Sequence, residues 1–216
     1  MADLEQAHDP LVHVPAGVAL FEQGEPSDRS FVVLRGWVAA THMSDDGRLA
    51  ILRFLLPGEV LAFERHSGVN SYGAVALGDV TVCSVSGSRQ RRLERAYPPY
   101  DASHRAAEAG ILNQAQETLA SILGHRAPER VGHLLYQLSW RTLRRRPVAG
   151  DRIDAPLTQI QIALATGLTP VHVSRTMRQL REDGVVELEN HHLTIHDPAG
   201  LKRLAGPAPE ITAQWA

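Results

Sequence analysis

Between Leu11 and Val85 short β-branched or apolar runs alternate with turn signals at Gly24-Glu25-Pro26-Ser27-Asp28, Arg35-Gly36, Ser44-Asp45-Asp46-Gly47, Pro57-Gly58 and Gly78-Asp79. Alternating runs punctuated this often predict short strands, and their number predicts a barrel or double-sheet roll. Val38 to Met43 and Leu49 to Phe54 flank Asp46-Gly47, a dipeptide suited to a tight hairpin turn. Gly73 to Leu77 and Val80 to Val85 flank Gly78-Asp79 and read, on the same grounds, as a second strand pair.

After Ser88 the period lengthens to that of a helix: a short piece up to Pro98-Pro99, then a long stretch from about Asp101 to Gly124. In the long stretch Leu112, Ala115, Leu119 and Ile122 recur at three- and four-residue steps, and Ile111 and Leu123 widen the stripe. Such a seam packs against another helix, and a second copy of the chain is the partner expected; packing on the chain's own roll is the alternative. Pro128 suits the first position of the next helix, whose buried face is Val131, Leu134, Leu135 and Leu138. That helix ends in Arg144-Arg145-Arg146-Pro147, a solvated end favoured by the helix dipole, and Arg144 to Pro156 reads as a polar connection.

Leu157 to Gly184 reads LTQIQIALATGLTPVHVSRTMRQLREDG. Thr158 and Gln161 form a capping box, Ile160, Ile162, Ala163 and Leu164 supply an apolar side, and Gly167 supplies the positive φ of a tight turn. A second helix follows at once, with Thr169 as N-cap and Pro170 at its first position. Small Ala163, turning Gly167 and apolar Val173 stand at the offsets of a helix-turn-helix. Val173, Met177 and Leu180 point inward, which leaves Pro170, Val171, Ser174, Arg175, Arg178 and Arg181 outside.

A face of this kind reads double-stranded DNA. Arg175 can donate two hydrogen bonds to guanine O6 and N7, Thr169 and Ser174 can bond phosphate or base edges, and Val171 can meet a thymine methyl. Arg178 and Arg181 then hold phosphate, and His172 makes a phosphate or intrahelical bond. Asp183-Gly184 closes the helix, Val185 to Leu188 and His192 to Ile195 form a hairpin wing, and Asp197-Pro198 begins a last helix through Leu204. His191 and His192 at the wing can touch phosphate, and no ligand spacing elsewhere supports a metal site.

Charge strengthens this picture. The chain of 216 residues carries a net charge of -2, but Arg126 to Arg181 has ten Arg against Glu129, Asp151 and Asp154, a formal +7, while Met1 to Tyr100 is a formal -3. A polyanion would meet the C-terminal part. The single cysteine, Cys83, excludes an internal disulfide framework and a cluster held by several cysteines of this chain; it reads as a small buried hydrophobe in its strand. No signal peptide and no run of about 18 apolar residues is present, so no membrane role and a cytoplasmic location are expected. An enzyme is disfavoured by the absence of a Gly-rich phosphate loop, a G-x-S-x-G elbow and H-E-x-x-H.

The order of parts, with Gly24 to Ser27, Phe31-Val32-Val33-Leu34-Arg35-Gly36, Pro57-Gly58-Glu59 and above all the helix-turn-helix, resembles the Crp/Fnr family of bacterial transcription regulators. The resemblance implies an α+β chain: a jelly-roll-like, cyclic-nucleotide-binding-like sensor at 1–100, a dimerisation helix at 101–125 and a winged helix-turn-helix at 126–216. It implies a homodimer on a pseudo-palindromic operator, contact with RNA polymerase, and Ser174 and Arg175 as base readers. Some members carry Glu where Val171 stands, so the base preference there differs. Members that bind cyclic AMP hold its phosphate with an Arg-Ser pair, whereas this chain has Val69-Asn70-Ser71-Tyr72. An effector pocket would therefore draw on Glu64, Arg65, His66, Asn70 and Ser71. Members that bind haem place a histidine in the loop matching His66-Ser67-Gly68, which makes haem a cofactor to consider and a haem- or small-molecule-binding sensor module, with DNA binding secondary, the alternative function, while the N-terminal cysteine cluster of oxygen-sensing members is missing.

Overall fold

A computed structural model describes residues 11–26, 28–61 and 68–206, and the chain forms two compact units, 1–115 and 116–216.

Among the described residues the first unit is a roll of eight strands: β1 (Val12–Val14), β2 (Ala19–Phe21), β3 (Arg29–Arg35), β4 (Val38–Met43), β5 (Leu49–Leu55), β6 (Val60–Leu61), β7 (Gly73–Ala76) and β8 (Val80–Ser86). They form two antiparallel sheets, ordered β1-β8-β3-β6 and β2-β7-β4-β5. Side chains alternate across each strand, so Val33, Val38, Leu55, Leu61, Ala74 and Val82 meet in a dry core. Burying each Val or Leu contributes about 1.5–3 kcal/mol. Phe21 stacks on Phe31 and meets Tyr72 edge-on against this core.

The Asp46-Gly47 hairpin forms as expected between β4 and β5. The strands either side of Gly78-Asp79 do not pair with each other: β7 pairs with β2 and β4, and β8 pairs with β1 and β3. Here the chain steps from one sheet to the other. Leu77 N–H bonds the Trp37 carbonyl, and a Cβ on Gly36 would stand 2.5 Å from the Asp79 carbonyl oxygen, so two chain corners cross with room for glycine alone. Cys83 is half-buried rather than buried, because it falls on the face of β8 opposite Val82 and Ser84.

Helix α1 (Gly87–Ala96) is N-capped by Ser86, and α2 (Pro98–Gly124) begins three residues before the expected start, since prolines in a first turn lose no hydrogen bond. A buried polar chain ties β3, α1 and α2. Ser30 Oγ donates to Gln90 Oε1 (2.5 Å), and Gln90 Nε2 donates to His104 Nε2 (2.6 Å) and Glu94 Oε1 (3.0 Å).

The second unit is built on α3 (Ala127–Leu143), whose Val131, Leu135 and Leu138 are fully enclosed. Ala127 takes the first helical position, so Pro128 stands second. Helices α4 (Gln159–Thr166) and α5 (Pro170–Glu182) follow, then strands β10 (Val186–Glu189) and β11 (His192–Ile195) and helix α6 (Pro198–Ala205). The connection before α4 holds a strand the pattern concealed, β9 (Arg152–Asp154), paired with β11 in a three-stranded sheet ordered β10-β11-β9. One apolar residue, Ile153, is too short a period to signal a strand; pairing with β11 makes it one.

Candidate nucleic-acid interface

Helix α5 is placed by local chemistry and then clamped by packing. Thr158 accepts from Gln161 N–H while the Gln161 side chain accepts from Thr158 N–H, a reciprocal box that starts α4. Gly167 closes α4 at φ +65°, and its N–H bonds the Ala163 carbonyl. Arg130 on α3 steadies the turn, with Nε donating to the His125 carbonyl (2.9 Å) and Nη1 to the Thr166 carbonyl at 3.5 Å. Nothing in the sequence marked Arg130, since a charge on an amphipathic helix looks solvated.

Thr169 caps α5 by accepting from His172 N–H, with Pro170 at the first helical position. Val173, Thr176, Met177 and Leu180 are buried, and Ile162, Ala163 and Ala165 of α4 are buried with them. Ile160, expected on the apolar side of α4, is instead 61% exposed. It lies one residue into the helix from the cap, where the first turn has not yet reached the core.

Thr169, Pro170, Val171, His172, Ser174, Arg175, Arg178 and Arg181 are all exposed. Their polar atoms differ in how far they are committed. The Thr169 hydroxyl holds the cap and stands 3.2 Å from His172 Nδ1, so both side chains are partly engaged. Arg178 lies 3.8 Å from Glu182 and Arg181 3.9 Å from Glu189, exposed pairs worth at most about 1 kcal/mol and easily exchanged for phosphate. Arg175 has no ion pair or hydrogen bond among the described residues. Gln179, exposed on the same helix and bonded to Asp183, was not singled out by the sequence.

The wing turns through Asn190 and His191, both at positive φ (48° and 62°), the geometry of a two-residue hairpin turn. His192 Nδ1 lies 2.8 Å from Asp154 Oδ1 but outside hydrogen-bonding direction, so the two are close without a directed bond. Arg145 forks onto both carboxylate oxygens of Asp151 (2.8 and 2.6 Å), and this hydrogen bonding holds the Asp151 carboxyl below its ordinary range.

Leu112, Ala115 and Leu119 are exposed along α2, with Ile122 half-buried. Glu64, Arg65 and His66 lie outside the described residues. Asn70 is buried, its N–H bonding the Glu25 carbonyl and its carbonyl accepting from Gly24 N–H, so its backbone closes a turn; Ser71 is exposed. Among the described residues no group of three or more His, Cys, Asp or Glu is arranged to hold a metal ion, and no helix is long and apolar enough to cross a membrane.

Two family profiles match the chain: a cyclic nucleotide-binding domain over residues 11–97 and a Crp-like helix-turn-helix domain over 129–204. The chain is 32% identical over 198 residues to the nitrogen fixation regulation protein FixK of Bradyrhizobium diazoefficiens, covering 90% of this chain and 81% of that protein. It is 26% identical to a CRP-like cAMP-activated global transcriptional regulator of Mycobacterium tuberculosis, over 90% of this chain and 87% of that one. The solved structure of FixK2 from Bradyrhizobium japonicum superposes with a TM-score of 0.81 at 26% identity, covering 92% of this chain and 98% of that one. These relatives are transcription regulators and not enzymes, and an antiparallel roll, long helices and a helix-turn-helix stand in the same order in the structure described above. The chain belongs to the Crp/Fnr family of DNA-binding transcription regulators.

Proposed function

We propose that the protein works as a homodimer on a two-fold symmetric operator, with α5 of each copy in a major groove and Arg175 as the principal base reader. The observation that carries this is the uncommitted Arg175 guanidinium on a helix whose other faces are capped, packed or paired. Ser174 and Val171 extend the base-reading surface, Thr169, Pro170 and His172 shape its start, and Arg178 and Arg181 hold phosphate. The dimer seam is Leu112, Ala115, Leu119 and Ile122 on α2, which makes residues 101–125 the dimerisation segment between a sensor at 1–100 and a DNA-binding part at 126–216. RNA polymerase is the further partner that family membership suggests, and the cytoplasm the compartment.

The roll takes no cyclic AMP in this reading: Asn70 offers no cation for the phosphate, and its backbone is spent on the Gly24–Glu25 turn. Random-library selection of bound duplexes tests the DNA assignment. Wild-type protein is expected to enrich a symmetric site with half-sites about one helical turn apart. Arg175→Ala is expected to lose about 1–3 kcal/mol of discrimination, roughly 5- to 150-fold, with its fold intact. Undiminished enrichment by that variant would refute the role given to Arg175.

A further inference from the structure

The outer face of α1 is strongly basic. This ten-residue helix holds Arg89, Arg91, Arg92 and Arg95 against one acid, Glu94. Glu94 is turned inward, its side chain 11% exposed, where Oε1 accepts from Gln90 Nε2 and lies 3.8 Å from His104 Nδ1. Arg91, Arg92 and Arg95 are exposed and, among the described residues, have neither an ion pair nor a hydrogen-bond partner. With Ser88 and Ala96 they line one concavity of about 450 Å³.

Two of these guanidinium groups, on Arg91 and Arg95, are four residues apart on one helix face, a spacing at which like charges repel and weaken the helix. Packing of α1 comes from its other side, through buried Leu93 and Gln90. Arg95 stands in the last turn, where the helix dipole favours a cation, but no carboxylate or carbonyl among the described residues engages any of the three guanidinium groups, which leaves all three open to a ligand. The described residues of the lining include no aromatic or large apolar side chain, so recognition by them rests on charge and forked hydrogen bonds, which match phosphate oxygens. Its volume suits a small molecule.

We propose that this groove binds a small anion carrying at least two linked phosphates, through Arg91, Arg92 and Arg95 with the Ser88 hydroxyl. The site belongs to α1 of the first unit, and the proposal does not rest on the roles given to α5.

Calorimetric titration of the full-length protein with sodium pyrophosphate, at constant ionic strength and without divalent metal, tests it. Wild type is expected to bind one pyrophosphate per chain, and Arg91→Gln/Arg95→Gln to bind at least tenfold more weakly. Arg175→Ala, which removes a cation from the other basic surface, should bind as wild type does. The ligand-free double variant should keep the circular dichroism of wild type; a lost helix signal would mean that the arginines serve the fold and would overturn the proposal. Equal binding by the double variant, or no binding by wild type beyond that of sulfate, would overturn it as well. Binding of oligoglutamate but not pyrophosphate, lost in the double variant, would replace the small anion with an acidic protein partner.

Discussion

Gly132 and Gly167 illustrate two different reasons for a missing side chain. Gly132 has ordinary helical geometry, but a Cβ there would stand 2.7 Å from Leu204 Cβ, so α3 and α6 would have to separate. Gly167 has open space, its nearest neighbour Arg130 Nη1 at 3.9 Å, but its φ of +65° strains any L side chain by about 1–2 kcal/mol. Gly132→Ala is expected to cost about 1–3 kcal/mol by overpacking, seen as a lower urea midpoint with circular dichroism otherwise unchanged. The turn at Gly167 was legible from local chemistry; the contact of Gly132 with a residue 72 positions away was not.

Buried titratable groups belong to the same scale. Burial holds the His133 imidazole below its usual 6.5, with the Ala205 carbonyl accepting at Nδ1 (3.0 Å) and Nε2 without a hydrogen-bond partner among the described residues. As pH falls past 6.5 the unfolded chain takes up a proton that the folded chain refuses, so stability declines. His133→Asn, which keeps a donor for Ala205, is expected to flatten this slope between about pH 7 and 5.5 in urea melts. Glu117 acts with the opposite sign: burial raises its carboxyl above the usual 4.5, so its contribution favours folding in acid and is lost as pH rises through the raised value.

At the scale of elements, α2 shows what a hydrophobic period can and cannot say. The stripe was visible as a pattern, and Leu112, Leu119 and Leu123 are 60%, 56% and 77% exposed in a single chain. Leaving that much apolar side chain in water opposes solubility unless something covers it, and a second α2 is the cover proposed here. Leu119→Glu is expected to convert a dimer to a monomer in sedimentation, with helix content preserved; a variant that still sediments as a dimer would place the seam elsewhere. The strand pair read across Gly78-Asp79 failed at this scale, because Gly-Asp marks a bend without saying whether the chain returns to the same sheet.

For the whole molecule the net charge of -2 hides the positive segment at Arg126 to Arg181, where α5 presents its arginines. DNA affinity is therefore expected to fall steeply with salt. Arg178→Ala should weaken binding almost equally on all sequences and reduce the salt slope by about one ion, whereas Arg175→Ala should act on sequence preference. Fluorescence anisotropy on specific and unrelated duplexes across a salt series separates the two, and a loss confined to the specific duplex with Arg178→Ala would reverse the assignment.

The sequence by itself determined the helix-turn-helix nearly residue by residue, because caps, the Gly167 turn and the Val173, Met177 and Leu180 stripe are interactions of neighbours a few positions apart. It also determined that the first part is a roll of short strands. Only the tertiary structure decided which strands share a sheet, that Arg152–Asp154 becomes a strand against β11, that Cys83 lies on the half-buried face of β8, and that the one acid of α1 turns inward, leaving three arginines without a partner among the described residues. Those facts depend on partners tens of residues away, and local propensity carries no record of which distant backbone or side chain will arrive to satisfy them.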